Sequence, residues 1–407
     1  MSKPLVLTCD IGTQSARALL VDPDGRIVDV VQSKYAEPYF SKEPGWAEQK
    51  PNFYFDRLCE CCRELCARSN ALLPDVIAMT ITVIRDTVVC LDANNEPLRD
   101  IILWLDKRTV DPNGAMPAKN MMLFKVAGME PTAKVVYAAS VGNWIMRHEP
   151  EIWARTAKYV MLPTYLNYKL TGNLIDSASN QIGHIPFDYK NRRWMKPGSL
   201  TRCFCDVPNE KLCDLVPSGT VIGTVTDEVC ALTGIPAGLP LISTGSDKGC
   251  ETLGLAVVDS DKASISLGTT ATIQFSTTEY VEPQQFLPAY PGVLNDHYNP
   301  EIEIYRGLWL LSWFVKEFGT ADAIDAKEKG MVPEALLDER IRELYGEESR
   351  RFTLIRTGKL LERVRKYNPE ARDLIQDFHV LWPIPQAIRD ANVGNFPQNP
   401  GYEGYEG

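Results

Sequence analysis

The stretch PLVLTCDIGTQSARALLVDPDGRIVDVV, residues 4–31, decides the fold. PLVLTC is a short apolar run that stops at the polar turn Asp10-Ile11-Gly12-Thr13-Gln14-Ser15. ARALLVD follows, Pro23-Asp24-Gly25 turns the chain, and RIVDVV leads away. Short apolar runs bounded by Gly, Pro and Asp breakers predict three successive strands. The same plan recurs in ASISLGTTATIQFST, residues 263–277, about 255 residues further on, as strand, Leu267-Gly268-Thr269-Thr270, strand. A repeat at that distance points to a duplicated domain rather than a solenoid. Each turn offers backbone N–H groups and a hydroxyl, which suits an anion. Two such turns facing each other across a cleft would clamp one polyphosphate. Two ordinary hairpins account for the same strings.

Length and composition set the frame around these hairpins. The chain has 407 residues, 44% hydrophobic and 24% charged. At roughly 100–200 residues per domain this predicts two or three domains, each able to bury a core, and excludes wholesale disorder. The net charge of −10 argues against a nucleic-acid partner. No apolar run is long enough for a membrane-spanning helix, and the first residues lack the pattern of a secretory signal, so a cytoplasmic protein is expected. The eleven cysteines are scattered and odd in number, which reads as small apolar residues in a reducing compartment. Four histidines without an H-E-x-x-H pattern predict no protein-held transition metal. There is no G-x-G, and Gly358-Lys359 lacks the upstream glycine of a P-loop, so phosphate binding needs another architecture.

Further elements follow from pattern. Residues 51–68 predict a helix, with an apolar stripe at Tyr54, Leu58, Cys61, Cys62 and Leu65. VIAMTIT and TVVCLD predict strands flanking Val83-Ile84-Arg85-Asp86. IILWLD is another apolar run, and residues 140–170 read as mostly helical. LPLIST predicts a strand running into Gly245-Ser246-Asp247, with a helix after it. A carboxylate at a strand's end and a helix's start faces a cleft and is favoured by the helix dipole, although a plain N-cap aspartate has the same signature.

Six strings in order carry a resemblance: the opening hairpin, PGWAEQ, RDTVVCLDANNEPLRDIILWLDKRT, YLNYKLTG, GTVIGTVTDEVCALTGIPAGLPLISTGSDKG and SISLGTT. Together they resemble the FGGY family of carbohydrate kinases over roughly residues 4–330. The resemblance implies an α/β, actin-like (ribonuclease-H-like) ATPase fold around a cleft. It also implies transfer of the γ-phosphate of ATP, with Mg2+, to a hydroxyl of a sugar or polyol. By the same resemblance Asp10 meets the magnesium through water. Gly12, Thr13 and Gln14, followed by Arg17, form the first phosphate turn, and Gly268, Thr269 and Thr270 form the second. Asp247 matches the catalytic base, which also touches the substrate. Arg85 and Asp86 match the Arg-acid pair that holds substrate hydroxyls, a pairing that suits donors and acceptors on a polyol. Trp104, Asp106 and Arg108 match a W-x-D-x-R block beside the substrate, though a Trp after Ile-Ile-Leu also suits a core.

The chain departs from the family pattern in places. Ile84 stands where relatives carry a glutamine, which leaves substrate choice open. The family's second domain normally continues well beyond its hairpin and carries a Gly-Gly segment near adenine. No Gly-Gly occurs here. From Leu336 to Arg372 ten Lys/Arg face seven Asp/Glu, a local balance of +3 in a chain of −10. RIRELYGEESRRFTLIRTGKLLERVRKYNP, LWPIPQAIRDAN and FPQNPGY resemble the C-terminal end of the SusD/RagB family of glycan-binding lipoproteins. An exported glycan-binder's tail on a cytosolic kinase is incongruous, and a joined fragment explains it better than a functional fusion. The expected organisation is a first actin-like domain over 1–250, a partial second domain over 251–335, and a helical and coil segment over 336–407. Three functions are carried forward: a sugar or polyol kinase, a polyol-binding kinase remnant without activity, and a glycan-binding fusion. The partner is a small molecule in the first two, and a homodimer is left open.

Overall fold

Alternating burial sets the first strand. In β1 (Leu5–Ile11) Leu5, Leu7, Cys9 and Ile11 are buried, while Thr8 and Asp10 lie on the other face and are only partly covered. β2 (Ser15–Val21) returns antiparallel, burying Ala16, Ala18 and Leu20 and setting Arg17 opposite Asp10. β3 (Ile27–Lys34) continues the meander. On the other side of β1 the strands run parallel: β4 (Val76–Val83) pairs with β1, and β6 (Pro240–Ile242) pairs with β4. β5 (Val221–Thr224) closes the edge antiparallel, giving the order β5-β6-β4-β1-β2-β3. The carboxyl ends of β1, β4 and β6 therefore emerge together, the usual place for a ligand in an open α/β sheet. The structure, a computed structural model, describes residues 3–267, 270–304, 307, 354–355, 358–381 and 399–402. The chain falls into two compact units, residues 1–307 and 308–407.

Helix α1 (Phe53–Arg68) covers one face of this sheet, packing on β2 and β3. Its expected stripe of Tyr54, Leu58, Cys61, Cys62 and Leu65 is fully buried. The cysteines are unpaired, and burial pushes the thiols of Cys59 and Cys66 up to about 12, so they pack as apolar groups. Residues 140–170 are not one helical stretch. Lys158–Met161 is a strand paired with Val88–Leu91, between a helix ending at Arg155 and one over Leu162–Thr171. Its buried Tyr-Val-Met run is short enough to pair, and Pro163 starts the next helix afresh.

A second, three-stranded sheet joins β7 (Ala263–Leu267), β8 (Ala271–Phe275) and β9 (Glu301–Ile304), all antiparallel. Its sides are unlike those of the first. Ser264, Thr272, Gln274 and Glu301 are buried, whereas Ile265, Leu267, Ile273, Ile302 and Ile304 are exposed.

In the second unit the helix Leu360–Tyr367 buries Leu360 together with Leu354, beside Val364, Ile375 and Val380. Most of the helix expected over 336–366, and residues 382–398 of the LWPIPQ and FPQNPGY strings, lie outside the described residues. Among the described residues no helix is long and apolar enough to cross a membrane.

Candidate active site

The ends of the three parallel strands assemble a polar site. Asp10, near the end of β1, sits opposite Thr82 of β4. The Thr82 hydroxyl donates to the Gly245 carbonyl at 3.2 Å, beyond the end of β6. One residue past Gly245, Ser246 caps helix α2 (Asp247–Gly254) by accepting from the Gly249 N–H at 3.2 Å. The cap role thus belongs to Ser246, and Asp247 occupies the first turn. Gly245 is needed here: a Cβ would stand 2.7 Å from Val293 and 3.2 Å from Ser179. Charges on both Asp247 and Asp10 reach Cys250, whose thiol burial pushes up, so the two carboxylates share one neighbourhood.

Asp247 is tied to Arg85. Its Oδ1 accepts from the Lys248 N–H at 2.8 Å and lies 3.5 Å from Arg85 Nε. Burial pushes the Asp247 carboxyl above the ordinary carboxylate range, against the pull of Arg85 and Lys248. Both outer nitrogens of Arg85 donate to Glu301 of β9, at 3.0 and 2.8 Å. Its guanidinium also faces the Tyr290 ring, 5.5 Å from the centroid. Burial disfavours the Arg85 charge, but Glu301 and Asp247 outweigh it and hold its pKa above the usual value. Glu301 accepts in turn from Gln274 Nε2, and Gln274 Oε1 accepts from Thr252 of α2 at 2.6 Å.

Asp86 adopts a left-handed backbone, φ 45°, strained for a residue with a side chain. Three contacts hold it there: its N–H donates to the Ile182 carbonyl, and its carboxylate meets the His184 N–H at 3.0 Å and Nδ1 at 2.8 Å. Burial works against the Asp86 charge, but His184 wins and lowers its pKa, while Asp86 raises that of His184. Gly183 must remain glycine, because a Cβ there would collide with the Asp86 carboxylate.

The first hairpin turn is closed by the Gly12 N–H donating to the Ser15 carbonyl at 3.0 Å. Asp10 and Arg17 form an ion pair of 2.6 Å through Oδ2, with both side chains partly exposed. Gln14 is exposed. The Thr13 hydroxyl accepts from the Trp104 indole N–H at 3.0 Å, which brings the W-x-D-x-R block to the turn. The rest of that block leads away. Asp106 Oδ1 accepts from the Arg108 N–H and Nε, and Oδ2 from Arg108 Nη2 and the Ala47 N–H. With both oxygens doubly engaged, Asp106 holds Arg108. The Arg108 guanidinium lies 3.9 Å from the Trp46 ring centroid and 4.7 Å from that of Trp144, and 3.1 Å from Glu48. The PGWAEQ and LWLDKRT strings thus meet around the buried Arg108. Of the second turn, Thr270 is buried. Gly268 and Thr269 lie outside the described residues.

Residues 5–254 match the model of the FGGY family of carbohydrate kinases, N-terminal domain, well over half of the chain. The chain belongs to the FGGY family. An uncharacterized sugar kinase of Escherichia coli K12 is 25% identical over 341 residues, covering 84% of this chain and 62% of that protein. The xylulose kinase of the same strain is 26% identical, covering 77% and 63%. This FGGY chain therefore spans a little over three-fifths of the length of these relatives. Among solved structures, the gluconate kinase of Lactobacillus acidophilus aligns with a TM-score of 0.66 at 21% identity, covering 83% of this chain and 65% of the other. Glycerol kinase of Plasmodium falciparum with ADP aligns at 0.61 and 19%, covering 80% and 66%. These likenesses establish the actin-like ATPase fold of the FGGY kinases, with an α/β mixed sheet. Around the family's motif positions the structure adds Glu301, Gln274, Tyr290 and His184, which no motif marked. Glu301 was signalled weakly, by the alternation Glu-Ile-Glu-Ile at 301–304.

Proposed function

We propose that this chain phosphorylates a hydroxyl of a small sugar or polyol at the expense of ATP, with Asp247 as the base. The observation that supports it most is the Asp247 carboxylate at the mouth of the parallel strands, buried enough to raise its proton affinity yet left a quarter exposed. Asp247 takes the hydroxyl proton as that oxygen bonds the γ-phosphorus, and the bond from phosphorus to the ADP oxygen breaks. Arg85 stands beside the base and Asp86 holds the His184 ring at the end of β4; these groups orient the substrate hydroxyls. The residues present fit the phosphate end of Mg-ATP. Asp10 is a partly open carboxylate, and Gly12, Thr13 and Gln14 lie in a turn closed by the Gly12 N–H on the Ser15 carbonyl. Asp10 would hold Mg2+ through water, and Thr270 with Gly268 and Thr269 would serve the second phosphate contact. Magnesium, when bound, neutralises phosphate charge. An ATP-dependent reaction on a small metabolite suits a cytoplasmic protein. The likeness of residues 336–407 to the SusD/RagB end takes no part in this chemistry.

The test is magnesium-dependent ADP release with D-xylulose, gluconate and glycerol, chosen from the names of the relatives. At least one should raise ADP release above the rate without acceptor. The rate should fall about tenfold per pH unit below the pKa of the base, and that limb should lie above the ordinary aspartate range because burial raises it. A polyol that binds without any ADP release would contradict the proposal.

A further inference from the structure

Arg85 has two carboxylates to choose between, and the choice decides whether Asp247 can work as a base. Asp247 Oδ1 lies 3.5 Å from Nε, beyond a good hydrogen bond. Glu301 takes both outer nitrogens in a bidentate pair, the stronger and more directional arrangement. Glu301 is itself fixed: it is 4% exposed and accepts from Gln274, which Thr252 orients from the helix that begins at Asp247. The chain of contacts therefore closes on itself, from α2 through Thr252, Gln274, Glu301 and Arg85 back to Asp247.

We propose that Glu301 is a positioning residue that keeps Arg85 from capturing the Asp247 carboxylate. With the fork committed to Glu301, an Asp247 oxygen stays open for a substrate hydroxyl. Without it the nearest anion to the freed fork is Asp247. A bidentate Arg85–Asp247 pair would fill the acceptor positions the hydroxyl needs and weaken the base. The inference rests on the kinase reading for its consequence, but its geometry does not depend on turnover. Other charges face Asp247 as well. Lys248 and Glu251 come from its own helix, with Lys248 Nζ held 3.0 Å from Glu251 and 2.6 Å from Ser266. Glu303 faces it from β9, and Arg85 from the end of β4.

The experiment is a carboxyl 13C NMR titration of the full chain, with the Asp247 signal assigned through Asp247→Asn. In Glu301→Gln the Asp247 pKa should fall by at least about one unit, because one negative neighbour is lost and the cation is released toward it. In Glu301→Gln/Arg85→Met the value should return to at least that of the unaltered protein, since the released cation is gone. An unchanged or raised pKa in Glu301→Gln overturns the proposal. So does an equal fall in the double variant, which would exclude Arg85 as the agent. If the buried, unpaired guanidinium prevents Glu301→Gln from folding, Glu301→Asp takes its place. The shorter side chain keeps the charge but loses the bidentate reach, and a fall of about half a unit is expected, an unchanged value again overturning the proposal. Kinetics separate this from the kinase reading. Full turnover in Asp247→Asn removes the base itself, whereas lost turnover there with an unaltered pH profile in Glu301→Gln removes only the role of Glu301.

Discussion

Two sheets of the first unit, the six-stranded and the three-stranded, invert each other. The six-stranded sheet puts Leu7, Ile11, Leu20 and Met79 inside and closes over them with α1. The three-stranded sheet buries Ser264, Thr272, Gln274 and Glu301, and leaves Ile265, Ile302 and Ile304 around 60% exposed. In the first, burial of apolar area supplies stability. In the second, the buried face is polar and each of its groups must find a partner, as Gln274 and Glu301 do. The difference separates the two jobs of the unit. One sheet holds the strand ends in place, and the other brings a carboxylate to Arg85.

That contrast can be broken by stability measurements. The largest loss should come from outside both sheets, where Asp106 holds Arg108 against two tryptophans. Asp106→Ala leaves that guanidinium short of a buried partner and should cost about 3 kcal/mol or more in urea unfolding. A change under about 1 kcal/mol would mean that Glu48 alone satisfies Arg108. Next comes Leu20→Ala, at about 2–5 kcal/mol, because the residue is fully buried under α1. Ile302→Ser on the exposed side should change stability by no more than about 0.5 kcal/mol. Equal losses for Leu20→Ala and Ile302→Ser would erase the distinction between the sheets.

Much of this was readable in the sequence where the signal is local. Apolar runs between turn residues set β1 and β2, a 3.6-residue stripe set α1, and the Leu-Pro-Leu-Ile-Ser-Thr run placed Asp247 between a strand and a helix. The strand at Lys158–Met161 was missed because a short buried apolar run has no period of its own to tell strand from helix. Asp106 was expected at the substrate because its motif neighbours Trp104. Its engagement is set by Ala47 and Arg108, and the Ala47 contact joins two strings 59 residues apart. The pairing of Glu301 was out of reach for the same reason on a larger scale. Its partner Arg85 lies 216 residues away, and nothing in either local pattern marks the pairing.

The central claim is that Asp247 accepts the proton of the phosphorylated hydroxyl. It is tested most directly by Asp247→Asn, a nearly isosteric change, with turnover and acceptor binding measured on the same preparation. Magnesium-dependent ADP release should fall by at least about a hundredfold, while the acceptor's dissociation constant by titration calorimetry stays within a few-fold. Turnover within tenfold of the unaltered chain would contradict the claim and leave Asp247 as a residue of the helix start alone.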